Sequence, residues 1–191
     1  LGKIKEWFPC VEYIFCDPVP YDGGLSLGSA RYVWHHILDN PKIKSAQNVT
    51  PYLGKTYSDD QVLDSVKKYE DMGQIKSTKV DDDKVLEHLD SQKIVAVFGG
   101  GSESGRRALG NRSILADPRS DKMKDTINQR VKHRQWYRPF APSVLIEDAK
   151  DWFEGAVYSP YMSFALKFKE DKVEKVPAVV HEDGTGRLQT V

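Results

Sequence analysis

Apolar side chains recur at helical spacing in several stretches of this chain, and in short runs toward its end. From Leu25 to Leu38, residues Leu27, Ala30, Val33, Trp34 and Ile37 share one helical face. Asn40-Pro41 ends that helix, because the residue before a proline is driven out of the α region. Ser58 opens the next helix, and Gln61 three residues on completes a capping box. Val62, Leu63, Val66 and Tyr69 form its apolar face, and Gly73 stops it. Asp81 to Leu89 reads as a shorter helix. Ser120 to Val131 reads as another, capped by Ser120 with Asp121 in its first turn. Strands are expected at 11–16, 94–98, 114–116, 143–146, 162–168, 176–180 and 186–191, with one or two helical turns at 147–153. The 94–98 strand is of the buried type and feeds directly into Gly99-Gly100-Gly101.

Residues 40–57 are polar, hold two prolines and show no periodicity, so they read as a linker containing a domain boundary. That divides the chain into 1–45 and 46–191. Helices early and strands late argue for an α/β domain, with α+β also open, built on a mixed twisted sheet with flanking helices.

At 191 residues and 39% hydrophobic, the chain has room for one domain, or one domain and a piece of another. It opens on Leu1 and stops at Val191 inside an expected strand, which reads as a fragment. No apolar run is long enough for a membrane span and no signal peptide opens the sequence. Cys10 and Cys16 either pair or stand as inert thiols; two cysteines make neither a disulfide framework nor a zinc site. A reducing cytoplasm is the default reading.

Charge changes the picture more than composition does. Lys plus Arg and Asp plus Glu both number 28, so the chain is neutral. Yet between Gly99 and Arg138 basic residues exceed acidic ones by about six. A local positive field in a neutral protein points to an anionic ligand rather than to general affinity for polyanions. Two clusters carry it. Arg106, Arg107 and Arg112 stand beside Gly105 and Gly110 in a loop after the expected strand. Glycines let backbone approach a ligand closely, and guanidinium forks match phosphate oxygens in pairs. Gly100 to Gly105 has P-loop spacing, but Arg106-Arg107 replaces the Lys-Ser/Thr, and the dinucleotide fingerprint is absent too. On spacing alone, a tight turn with solvated arginines fits as well.

The second cluster is Arg130, Lys132, His133, Arg134 and Arg138, interleaved with Trp136, Tyr137 and Phe140 and stiffened by Pro139 and Pro142. It can fix cations over a cavity, stack bases, or place arginines outward from an aromatic core. Near the end, His181-Glu182-Asp183-Gly184 reads as a hairpin tip around Asp183-Gly184, not a metal site, since consecutive strand residues face opposite sides. His35, His36, His88 and His133 form no ligand spacing.

The segments GRRALGNRSILADPRS (105–120), INQRVKHRQWYRPFAPSV (127–144) and HEDGTGRLQTV (181–191) together resemble the NodU/CmcH-type O-carbamoyltransferases. The resemblance covers about residues 50–191, the YrdC-like C-terminal domain of that family. The stretch PVPYDGGLSLGSARYVWHHIL (18–38) resembles the last segment of the family's first domain, of the ASKHA type and related to the tRNA threonylcarbamoyl transferase. The resemblance implies a strand-loop-helix remnant of that domain, followed by most of the YrdC-like one. It implies carbamoyl phosphate and ATP as ligands, joined into carbamoyl adenylate with release of pyrophosphate. The carbamoyl group would then pass, in the ASKHA-type domain, to a hydroxyl acceptor whose identity is not legible here. By matching position, Arg107, Lys132, Arg138 and Arg187 would contact carbamoyl phosphate or the adenylate, with Arg112, Asn111 and Ser113 next. Arginines would clamp phosphate and Lys132 would neutralise developing charge. Asp22 matches an acidic position near the first domain's divalent metal, iron or magnesium, whose paired histidine ligands lie upstream, so metal is expected only in a full-length protein. Many relatives carry Arg at position 101, an aromatic at 104 and Pro at 106, where this chain has Gly101, Ser104 and Arg106; Arg106 would restore the charge lost at 101. The rival readings are an RNA-binding module, against which the neutral charge weighs, and a noncatalytic regulatory half. The fragment alone is expected to bind ligand weakly and turn over little.

Overall fold

The computed structural model describes residues 1–42, 50–155 and 158–191; the expected boundary at 45/46 falls outside them. In chain order the helices are α1 (Ile4–Trp7), α2 (Leu25–Tyr32), α3 (Asp59–Asp71), α4 (Asp82–Asp90), α5 (Met123–Thr126), α6 (Ala149–Trp152) and α7 (Glu170–Val173). The strands are β1 (Val95–Phe98), β2 (Arg112–Leu115), β3 (Ser143–Val144), β4 (Phe164–Lys167) and β5 (Thr185–Thr190). The class is mixed α/β, with small sheets and flanking helices.

Several local signals act as the sequence says. The Ser58 hydroxyl accepts from the Gln61 N–H at 3.3 Å, and Gln61 Oε1 accepts from the Ser58 N–H at 3.1 Å, so the capping box is complete. Gly73 follows α3 with φ +70°. Asp81 caps α4 by accepting from the Lys84 N–H. The helix expected at 120–131 is α5 running into a π-helical turn, Ile127–Val131. Ser120 begins it through its carbonyl, which accepts from the Met123 N–H, not through its hydroxyl. The expected 25–38 helix is α2 continued by a second π-helical turn, Val33–Ile37.

Other expectations are corrected. The sheet is not single: β1 and β2 form an antiparallel pair, while β5 lies between β3, parallel to it, and β4, antiparallel. β1 is half-exposed rather than buried, with Phe98 covered by the Arg112 guanidinium at 3.7 Å from its ring centroid. Residues 11–16 form no strand; Ile14 and Cys16 pack on the core while Tyr13 and Phe15 stay exposed, so the alternation reports one-sided burial without a ladder. Residues 176–180 hold a 3₁₀ turn, Pro177–Val179, because Pro177 has no N–H for a ladder and suits a helical first turn. Cys10 and Cys16 are free thiols. Among the described residues no helix is long and apolar enough to cross a membrane.

The main core lies under the three-stranded sheet. Phe164, Leu166 and Phe168 point from β4 and its end into it, with Phe153, Val176, Val179 and the fully buried Leu188 of β5. The Phe153 and Phe168 rings stack at 4.2 Å between centroids. Their fit depends on Gly186, where an added Cβ would lie 2.4 Å from the Phe168 ring. A second cluster, Met123, Ile127 and Ala178, joins the first through Phe140, which touches both. Because side chains alternate along a strand, burying Gly186 and Leu188 on this side turns Thr185, Arg187 and Gln189 to the opposite face of β5.

Candidate functional site

The loop from Gly99 to Asn111 joins β1 to β2 and is held from three sides. Glu103 reaches across it, and its Oε1 accepts from the backbone N–H groups of Leu109 (2.7 Å), Asn111 (3.0 Å) and Arg112 (3.3 Å). The Leu109 carbonyl accepts from the Tyr52 hydroxyl (2.9 Å) and from Gln189 Nε2 on β5 (3.1 Å). Residues 51–55 run beside the loop: the Gly54 N–H donates to the Ser102 carbonyl at 2.9 Å, and the Ser104 N–H to the Pro51 carbonyl at 2.6 Å. This part of the expected linker is therefore a strap. Gly101 is needed under it, since an added Cβ would sit 2.7 Å from the Tyr52 carbonyl oxygen. The residues 17–24 also dock here. Tyr21 donates its hydroxyl to the Ser104 carbonyl at 3.2 Å, and Arg106 lies 5.4 Å over its ring.

The strapping sets the loop over the Arg187 face of β5, and cations collect there. Burial, then the fields of Arg107, Arg134 and Arg106, push the Arg187 pKa down to about 10. Arg107 is lowered by burial and by Arg106, and Arg134 by burial and by Arg138. The side chains of Arg106, Arg107, Arg134, Arg138 and Arg187 thus share one field, and among the described residues no carboxylate forms an ion pair with any of them. Arg187 Nε is buried without a hydrogen-bond partner among the described residues. Buried like charges left uncompensated are costly, and a polyanion seated among them removes that cost.

Asn128 builds the second half of the site. It is fully buried in the π-helical turn, and its Nδ2 donates to the carbonyls of Trp136 (3.2 Å) and Arg138 (3.0 Å). Its Oδ1 accepts from Arg134 Nε at 2.7 Å, while the Arg134 guanidinium lies 4.7 Å over the Phe140 ring. The aromatic–basic segment is accordingly part core and part site. Phe140 is packed in, Trp136 and Tyr137 are exposed, and Arg134 is aimed by an amide.

A family model described as Carbamoyltransferase C-terminus matches residues 86–191. The chain belongs to the NodU-type carbamoyltransferase family. Nodulation protein NolNO of Sinorhizobium fredii is 39% identical over 183 residues, covering 93% of this chain and 26% of that protein. Nodulation protein NolO of Bradyrhizobium diazoefficiens is 37% identical, covering 93% of this chain and 33% of that protein. Nodulation protein U of Sinorhizobium fredii is 48% identical over 103 residues, 54% of this chain and 18% of that protein. The chain spans a third or less of the length of these relatives.

Of the residues expected to meet ligand, Arg107, Arg138 and Arg187 come together in the shared field. Lys132 stands exposed just past the π-helical turn. Arg112, Asn111 and Ser113 are engaged within the loop. Arg112 Nη1 donates to the Gly99 and Asn111 carbonyls, Asn111 Nδ2 to the Gly101 carbonyl, and the Ser113 hydroxyl accepts from the Gly110 N–H. Asp22 opens a 3₁₀ turn, Asp22–Gly24, next to the docked Tyr21. Among the described residues no three His, Cys, Asp or Glu side chains group as metal ligands, and Asp22 alone does not make a donor set. Glu103 and Asn128 escaped the sequence reading, because a lone acid in a basic loop and a lone amide in a helix carry no spacing signal. An apolar cavity of about 540 Å³, lined by Met123, Ile127, Phe140, Trp152 and Val179 among others, contains none of the five clustered arginines. The charge cluster, not that cavity, is the chemically distinctive place.

Burial would raise the Glu103 pKa, but the N–H donors of Leu109, Asn111 and Arg112 outweigh it and hold the carboxyl below the ordinary range. A depressed folded-state pKa stabilises the protein above the unfolded value, and that contribution is lost as pH falls through the folded one. Glu103→Gln is therefore expected to lower stability at neutral pH by about 1–3 kcal/mol, with the difference from the wild type closing in acid. Thermal melts of both proteins from pH 7 to pH 3 check this; a gap that persists unchanged to pH 3 overturns it.

Proposed function

We propose that this chain is the nucleotide-activating, YrdC-like part of an O-carbamoyltransferase, joined near residues 45/46 to the end of an ASKHA-type domain. It would bind carbamoyl phosphate and ATP and form carbamoyl adenylate, for transfer to a hydroxyl acceptor in that first domain. For the atoms to balance, the phosphoryl group of carbamoyl phosphate leaves as inorganic phosphate with one water consumed. The carbamate oxygen then displaces pyrophosphate from the α-phosphorus of ATP. Such steps need little covalent help from protein and much fixed positive charge.

The observation that carries the reading is the arginine field around Arg187 Nε, which is buried without a hydrogen-bond partner among the described residues. Arg187, Arg107 and Arg134 would clamp phosphoryl oxygens, and Arg106 and Arg138 would add to the field. Lys132, exposed on its turn, would neutralise charge on the nucleotide from the rim. The divalent metal and the acceptor belong with the other domain in this reading, and a cytoplasmic setting suits the soluble ligands.

Calorimetric titration of carbamoyl phosphate into the full-length protein, with inorganic phosphate as control, tests it. Saturable binding stronger than that of phosphate, weakened about tenfold or more in Arg107→Ala, is expected from the loss of one charge-assisted clamp. Equal binding in wild type and variant, or none in either, would sink the proposal.

A further inference from the structure

His181, on the turn before β5, has a ring nitrogen that nothing explains. Its Nε2 is buried without a hydrogen-bond partner among the described residues, as is Arg187 Nε. The other ring nitrogen is fixed by a short relay. The Thr185 hydroxyl lies 2.7 Å from Asp183 Oδ1, and His181 Nδ1 lies 3.0 Å from that same hydroxyl. Asp183 is an ionised acceptor, also taking the Thr185 N–H at 3.0 Å, and its pKa is lowered by the Thr185 side-chain bond. The single hydroxyl proton of Thr185 therefore goes to Asp183, and the oxygen is left to accept from His181. Nδ1 must carry hydrogen, so the neutral ring presents a lone pair at Nε2. Burial lowers the His181 pKa; the field of Asp183 raises it, and those of Arg187 and Lys124 lower it further, so the ring stays neutral near pH 7.

We propose that His181 Nε2 and Arg187 Nε together read an amide: the nitrogen lone pair accepts an N–H of a carbamoyl group while the guanidinium donates to its oxygen. This rests on the carbamoyl phosphate reading above and gives it a source of selectivity. An arginine field alone accepts any acyl phosphate of similar size. A buried acceptor discriminates, because a ligand with a methyl group in place of the amino group leaves it dry and unpaired. His181 is in this sense a specificity-determining residue whose proton position is set by Thr185 and Asp183.

The test compares carbamoyl phosphate with acetyl phosphate, its methyl counterpart, by calorimetry on the full-length wild type, His181→Phe and His181→Gln. Wild type is expected to prefer carbamoyl phosphate over acetyl phosphate by about fivefold to tenfold, the size of one hydrogen bond to an otherwise orphaned group. His181→Phe should erase that preference while leaving acetyl phosphate affinity within about twofold. His181→Gln, which can offer its amide oxygen at the same place, should keep part of it. A change confined to folding would weaken both ligands alike and leave their ratio intact. An unchanged preference in His181→Phe overturns this inference alone. Failure of the wild type to bind either acyl phosphate overturns the carbamoyl phosphate reading and this inference with it. Imidazole ¹⁵N shifts give a second readout that needs no variant: the Nδ1–H tautomer is expected, and the Nε2–H tautomer overturns the proposal.

Discussion

Arg187→Met is expected to raise the melting temperature of the ligand-free protein while abolishing its response to carbamoyl phosphate. The two effects have one cause. Arg187 is held charged in a place where burial and three neighbouring arginines oppose the charge, pushing its pKa down to about 10. The folded-state pKa lies below that of an unfolded arginine, so this opposition is fully present at neutral pH and eases only as pH rises through about 10. A bound anion would relieve it within the neutral range. Methionine keeps much of the volume and removes the charge, and replacing a poorly compensated buried charge by an apolar side chain commonly stabilises by about 1–2 kcal/mol. The same change deletes the central clamp, so affinity for carbamoyl phosphate should fall by about a hundredfold. Scanning calorimetry with and without ligand reads both. Wild type should shift upward with carbamoyl phosphate or pyrophosphate, and Arg187→Met should start higher and not shift. A variant that melts lower, or that still responds to ligand, would show Arg187 to be a structural side chain.

That expectation depends on contacts that the sequence carried unevenly. The capping box at Ser58, the stop at Gly73 and the cap at Asp81 are local, acting within three or four residues, and the structure keeps each of them. The β1 strand was legible because its apolar run leads into glycines, and β5 because it follows the Asp183-Gly184 turn. Residues 11–16 and 176–180 misled for a physical reason. Each has the apolar content of a strand, but a strand also needs a ladder partner, and Pro177 removes a donor while Ile14 and Cys16 find core without one. Arg107, Arg138 and Arg187 could be singled out by motif. Their convergence could not, because it is made by Glu103, Gln189, Tyr52 and Asn128 through bonds spanning from six to eighty positions. The local excess of positive charge was legible as a stretch of sequence, but the place of Arg134 within it is set by an amide six residues earlier.

Asn128→Ala should therefore be the most damaging single change away from the arginines themselves. The side chain is fully buried, and its assignment is forced: only with Oδ1 toward Arg134 and Nδ2 toward the Trp136 and Arg138 carbonyls are all three bonds satisfied. Alanine leaves two carbonyls and one guanidinium nitrogen without this partner and opens a small cavity. The expected loss is about 2–4 kcal/mol, or roughly 6–12 °C in melting temperature for a chain of this size. Asn128→Asp separates the parts of that loss. A carboxylate would still accept from Arg134 and would neutralise part of the arginine field, but it would face two carbonyl oxygens that it cannot donate to. Its carbamoyl phosphate affinity should fall at least as far as that of the alanine variant, because the new anion competes for the same cations. The coupling is checked with the double variant Asn128→Ala/Arg134→Ala. If Asn128 works by aiming Arg134, the loss of ligand affinity in the double variant should match that of Arg134→Ala alone. Strictly additive losses, or an Asn128→Ala protein less than 1 kcal/mol below wild type, would mean that the amide neither supports the turn nor positions the guanidinium.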